Sequence, residues 1–99
     1  MINVRVKFHG VIRDITRSST AELAMPEGST VRDLVAALHA TYGQPFAERV
    51  LDPTIGVKTW VKLFLGSLEL DPRMLDTRLD IDGPTVNAIL FVLPATTGG

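Results

Sequence analysis

The sequence predicts an α+β domain in which one main helix covers one face of a mixed β-sheet. Apolar and polar residues alternate over 2–9, which is the period-two pattern of a half-buried strand. Apolar residues recur at helical spacing over 31–42. The run 86–93 is almost continuously apolar, which is typical of a strand with neighbours on both edges. Strands and one amphipathic helix must pack together to bury these surfaces.

Length and composition fit a single globular domain and exclude several classes of function. The chain has 99 residues, a net charge of −1 and no cysteine. The lack of cysteine excludes disulfides, thiolate metal sites and thiol nucleophiles, and it fits the cytoplasm, where we expect the protein to be. A near-neutral chain lacks the field needed for general nucleic-acid binding. No apolar run reaches the roughly 18 residues of a membrane span, so we expect no membrane insertion.

A second alternating run at 19–25 follows the first strand. The two runs predict an antiparallel hairpin, with a loose connection from Gly10 to Ser19. The main helix is predicted over 30–42 because Thr30 opens a capping-box pattern and Gly43 stands at its C-terminal end.

The second half of the chain predicts two or three further strands. One is expected at 60–65, a short partner at 68–70 and the last at 86–93. A hairpin, a helix that crosses over it and a strand that returns between earlier strands form the β-grasp arrangement. We therefore expect a β-grasp roll of four to five strands with one main helix.

Alternation also predicts which side chains lie on the helix-free face of the sheet. Apolar groups with basic neighbours are expected there, and this face is the candidate docking surface for a partner. Its predicted members are Arg5, Lys7, Phe64, Ile89, Phe91 and Leu93, with Pro94 beyond the strand. An alternative stays open: the segment 44–59, with a short helix at 46–51 and a loop at 55–59, could cover this face and make it ordinary core.

The sequence shows no self-contained active site. His9 and His39 lack second ligands at metal spacing, and the acidic residues between 71 and 82 do not fit a calcium loop. There is no glycine-rich phosphate loop. We therefore expect no bound metal or cofactor.

The C-terminal Gly98-Gly99 is the remaining chemical feature. We divide the chain into a domain at 1–93 and a flexible tail at 94–99, because Pro94 cannot continue a strand ladder. The tail spans about 20 Å when extended. Glycines lack a Cβ, so a narrow channel can close around them and receive the Gly99 carboxylate. A frayed terminus is the alternative.

The sequence resembles the MoaD/ThiS family of ubiquitin-like sulfur carriers, which includes the small subunit of molybdopterin synthase. Three stretches carry the resemblance: 27–34 running on to Tyr42-Gly43, 75–79 with Asp82-Gly83 and Val86, and 89–99 with its closing Gly98-Gly99. The segment 44–59 lies outside the resemblance and makes the chain more similar to longer members of the family.

The resemblance implies a function for the tail. A ubiquitin-activating-type enzyme would use ATP to adenylate Gly99, and a persulfide donor would convert it to a thiocarboxylate. That sulfur would pass to a precursor in a sulfur-accepting synthase, the large subunit, most simply for molybdopterin, with cysteine or thiamin pathways as alternatives. Two other hypotheses stay open: a protein modifier joined through Gly99 to target lysines, and a plain β-grasp binding domain.

Overall fold

The computed structural model describes residues 1–54, 56–71, 74–81 and 83–93. Its elements run in the order β1 (Ile2–Gly10), α1 (Arg13–Thr16), β2 (Thr20–Met25), α2 (Val31–Tyr42), α3 (Gln44–Val50), β3 (Leu51–Asp52), β4 (Gly56–Val57), β5 (Val61–Leu65), β6 (Leu68–Leu70) and β7 (Thr85–Val92). No helix in the described part of the chain has the length and apolar character needed to cross a membrane.

Five strands form one mixed sheet in the order β2-β1-β7-β5-β6. The first hairpin is antiparallel and pairs Ile2 with Met25. The last strand, β7, lies in the middle of the sheet, parallel to β1 and antiparallel to β5. This topology confirms the predicted α+β β-grasp fold. The two neighbours of β7 pair its backbone on both edges, and its side chains on the helix side are buried.

The helix α2 covers one face of the sheet through its apolar stripe. Leu34 and Leu38 are each 1% exposed and belong to the same buried cluster as the inward-facing residues of β1 and β7. The helix begins at the predicted capping box, in which the Thr30 side chain accepts from the Asp33 backbone N–H and Asp33 accepts from that of Thr30. Two otherwise unsatisfied backbone donors are thereby paired.

The connection between β1 and β2 is more ordered than the sequence predicts. It contains the one-turn helix α1, and Ile12 beside it is fully buried. A single turn is too short to show helical periodicity, which is why the pattern indicated only a loose loop. The buried Ile12 fixes this connection against the core.

The described residues of the segment 44–59 pack on the helix side of the molecule, so the alternative that this segment covers the helix-free face is wrong. Phe46 is fully buried, and its ring stacks on Tyr42 with centroids 6.2 Å apart. Tyr42 in turn meets the inward-facing Phe8 edge-on at 5.8 Å. The expected loop at 55–59 also needs correction, because Gly56 and Val57 pair with residues 51–52 in the small β3-β4 ladder.

Candidate functional site

Strand register arranges the helix-free face in rows that run across the sheet. One row places Ile89 between Lys7 on β1 and Phe64 on β5. The next row places Phe91 between His9 on β1 and Lys62 on β5. The predicted docking residues therefore come from three neighbouring strands and form one continuous surface.

The centre of this surface is apolar. Phe64, Ile89 and Phe91 are half-buried, and Leu93 beyond the strand is 39% exposed. We call these four residues the apolar patch. The His9 ring stacks on Phe91 with centroids 6.0 Å apart and planes inclined by 21°. Because no described segment covers the patch, it is available to a partner, as such exposed apolar groups often are.

The charges around the patch differ from the sequence-based expectation. Arg5 is predicted as a basic neighbour of the apolar group, but its guanidinium donates to Glu22 on β2 at 2.9 and 3.2 Å. Lys62 lies 3.9 Å from Glu69 on β6. The outer strands thus neutralise cations of the inner strands. Lys7 has no ion pair among the described residues, so it does keep the predicted free charge.

The C-terminal end of β7 is held by backbone hydrogen bonds up to the last described residue. The Leu93 N–H donates to the Trp60 carbonyl at 3.1 Å, and the Val11 N–H donates to the Val92 carbonyl at 3.2 Å. Gly10 has φ +82°, and a Cβ there would collide with the Val92 carbonyl. A glycine is therefore required where β1 passes the end of β7. We call this region the exit end, because residue 94 follows it.

Three predicted site residues, Pro94, Gly98 and Gly99, lie outside the described residues. The structure does bring together the other six, either on the helix-free face or at the exit end. Sequence reasoning left Trp60 out of the docking set, although the alternation of β5 places it on this side. Trp60 is 39% exposed, and its indole Nε1 donates to the Arg49 carbonyl at 3.3 Å.

The helix-free face has the composition of a contact surface. Within the described ranges, no three His, Asp or Glu side chains lie together in a way that could hold a metal ion. The surface instead combines exposed aromatic and aliphatic groups with charged neighbours, the composition of a protein–protein contact. The exit end, with the last described residue Leu93, adjoins this surface.

A hairpin, a crossing helix and a central parallel return strand define a ubiquitin-like β-grasp protein. Solved structures of other proteins share this fold, among them the following three. Small archaeal modifier protein 1 of Haloferax volcanii matches with a TM-score of 0.76 at 15% identity, over 94% of this chain and 99% of that one. The protein assigned as molybdopterin converting factor, subunit 1, of Pyrococcus furiosus has a TM-score of 0.74 at 20% identity, over 94% and 99% of the two chains. CysO of Mycobacterium tuberculosis has 0.66 at 20%, over 91% and 98%.

No protein-family model matches the sequence, and no curated protein matches it significantly. The similarity to these proteins is therefore structural, and at 15–20% sequence identity it establishes the fold alone. They confirm the β-grasp prediction over nearly the whole chain.

Proposed function

We propose that this protein is a sulfur carrier whose Gly99 carboxylate is activated and converted to a thiocarboxylate. The carrier itself would not be an enzyme. It would serve as co-substrate for a ubiquitin-activating-type adenylating enzyme and for a sulfur-accepting synthase. Molybdopterin synthesis is the pathway we favour, because one structural neighbour is assigned as a molybdopterin converting factor subunit.

The position of the exit end beside the apolar patch carries this proposal. Leu93 is hydrogen-bonded at the end of a central strand, next to Phe91 on the helix-free face. A partner that binds the patch would therefore lie next to the origin of residues 94–99. The extended reach of this segment is about 20 Å, which suffices to enter an active site in that partner.

The chemistry needs two steps on the carrier. In the first, a Gly99 carboxylate oxygen attacks the α-phosphorus of ATP, the bond to the β-phosphate breaks, and pyrophosphate leaves. In the second, a persulfide sulfur attacks the acyl carbon and displaces AMP, and a thiol reductant cleaves the resulting acyl disulfide. The product is the Gly99 thiocarboxylate, whose sulfur is the nucleophile in the synthase. The partners supply ATP and every catalytic group.

A protein modifier is the second candidate, and it shares the first step. The observation that favours it is the likeness to small archaeal modifier protein 1 over 94% of this chain. Here the activated Gly99 would form an isopeptide bond with a lysine of a target protein. The two candidates therefore differ in what attacks the activated carbonyl.

The intact mass of the protein isolated from its own cells tests the proposal. A sulfur carrier should show a form in which one terminal oxygen is replaced by sulfur, and its chain should end at Gly99. Adducts with target proteins, without that form, would favour the modifier. ATP–pyrophosphate exchange with the adenylating enzyme of the same organism provides the second readout. If neither exchange nor a modified terminus is found, a plain binding domain remains.

A further inference from the structure

Charge is distributed unevenly along the parallel pair β1 and β7. At the end where both strands begin, cations are matched to carboxylates. The Met1 ammonium lies 3.6 Å from Glu27, and Arg78 lies 2.9 Å from Asp80. At the start of α2, beside these pairs, Arg32 lies 3.1 Å from Asp76.

At the exit end Lys62 lies 3.9 Å from Glu69, but other cations there have no such partners. Five basic side chains there form no ion pair with any residue that the structure describes. We call them the basic collar: Lys7, Arg13, Arg17, Arg49 and Lys58. Each is a charge that a partner can pair without first breaking an ion pair between described residues of this chain.

Two members of the collar lie immediately beyond β1. Arg13 and Arg17 line a surface depression together with Gly10. Gly10 is the register partner of Val92, so this depression adjoins the end of β7. Lys7 lies on the neighbouring part of the helix-free face, opposite Ile89.

The other two members lie on the opposite side of the exit end. The Lys58 ammonium is 5.2 Å from the centre of the Trp60 ring. Arg49 accepts the Trp60 indole hydrogen bond through its backbone carbonyl, and Trp60 accepts from the Leu93 N–H. The helices α1 and α3 are also in contact, so the collar extends around one side of the exit.

The carboxylates at this end do not cancel the collar. Asp14 lines the same depression as Arg13, while Glu48 and Asp52 lie on or just after α3. On the side of the exit end that carries the collar, five cations therefore face three carboxylates. On the β5-β6 side, Lys62 lies beside Glu69, and Asp71 follows β6. The collar side of the exit end is positive, within a protein whose net charge is −1.

We propose that the basic collar docks against an acidic rim around the opening through which the adenylating enzyme receives residues 94–99. The inference rests on the proposed function and specifies the partner's surface. Opposite charges at the mouth of the receiving channel accelerate encounter and orient the carrier with its exit end toward the channel. Nucleic acid is the less favoured partner, because the overall charge of −1 opposes a polyanion.

The test compares two variants with equal changes in net charge. Arg13→Gln/Arg49→Gln removes two collar charges, and both side chains are exposed. Arg32→Gln/Arg78→Gln removes two ion-paired charges distant from the exit end. The association rate constant with the adenylating enzyme of the same organism is measured by stopped flow at low and high salt, and thermal melts confirm folding.

The collar variant should associate about three- to tenfold more slowly at low salt and should approach the parent at about 0.5 M salt, where charges are screened. The matched control should remain within about twofold of the parent, since its charges lie outside the contact. Equal slowing in both variants would show an effect of net charge alone and would overturn the proposal. So would unchanged association in the collar variant.

Two further measurements separate this proposal from the proposed function. If the parent chain associates with the enzyme but supports no ATP–pyrophosphate exchange, the carrier function is refuted. The association rate constants of the collar and control variants still test the docking proposal. If the parent does not associate at all, both fall. Titration with a fluorescein-labelled single-stranded RNA tests the other class of partner. Collar-dependent RNA binding without an effect on enzyme association would overturn the acidic-rim proposal.

Discussion

Phe91→Asp should weaken docking without unfolding the protein, because adjacent residues of β7 point to opposite faces of the sheet. Phe91 lies half-buried on the helix-free face, whereas its neighbour Leu90 is 0% exposed in the core. The register places Phe91 between His9 and Lys62. A carboxylate introduced there would face one lysine and one imidazole, and such cross-strand pairs contribute roughly 0.2–1 kcal/mol. The variant should therefore fold.

The expected loss in binding is larger. An aromatic side chain at the centre of a contact commonly contributes about 2 kcal/mol or more to the binding free energy. At about 1.4 kcal/mol per tenfold change, this corresponds to a dissociation constant weaker by at least about 30-fold. The stacking of Phe91 on His9 holds the ring in place before binding, so little side-chain entropy remains to be lost.

Isothermal titration with the adenylating enzyme measures the binding loss, and circular dichroism melts report folding. Phe91→Leu is the matched control, because it keeps an apolar group and should lose much less affinity. Leu90→Asp should unfold the chain, since it buries a carboxylate in a core that offers it no partner. If Phe91→Asp unfolds in the same way, Phe91 is core. If it folds but binds as tightly as the parent, the apolar patch is not the docking surface.

Three further predictions concern the core and the exit end. Leu38→Ala should lower the free energy of unfolding by about 2–5 kcal/mol in urea melts, and an unchanged midpoint would contradict the packing of α2. Gly10→Ala should destabilise the fold more than Gly28→Ala. Both glycines have positive φ, but only at position 10 would a Cβ meet backbone atoms. Equal losses of stability in the two variants would refute the close approach of Gly10 to the Val92 carbonyl. Deleting Gly99 should shorten the tail by about 3.5 Å and abolish ATP–pyrophosphate exchange without changing the melting temperature; exchange at the parental rate would refute both the carrier and the modifier functions.

The main elements could be predicted from the sequence because each has a long, regular pattern. The strand predicted at 2–9 is observed at Ile2–Gly10, and the helix predicted at 30–42 is observed at Val31–Tyr42. Four residues of α1 and two each of β3 and β4 are too short to show periodicity. Their positions depend on tertiary contacts, such as the burial of Ile12 and Val57.

The sequence predicts which face of the sheet carries the candidate docking residues, but it does not predict which of their charged side chains form ion pairs. Alternation alone places Arg5, Phe64 and Phe91 on the helix-free face. The neutralisation of Arg5 depends on its register with Glu22, and the connection between β1 and β2 contains no tight turn that would fix that register from sequence. For the same reason, the sequence does not show which basic side chains are ion-paired and which are not. These pairs depend on the three-dimensional arrangement of the chain.

The geometry of β7 also restricts where a useful docking surface can lie. The strand has eight residues, so its two ends are about 23 Å apart. Residues 94–99 reach about 20 Å at most. A partner bound near Thr85 would hold its active site beyond the range of Gly99 unless it extended along the whole sheet. A partner bound over Phe91 and Leu93 begins at the origin of the tail. If Gly99 is the group that the protein delivers, as we propose, the short tether places the docking surface at the exit end, where the apolar patch and the basic collar meet.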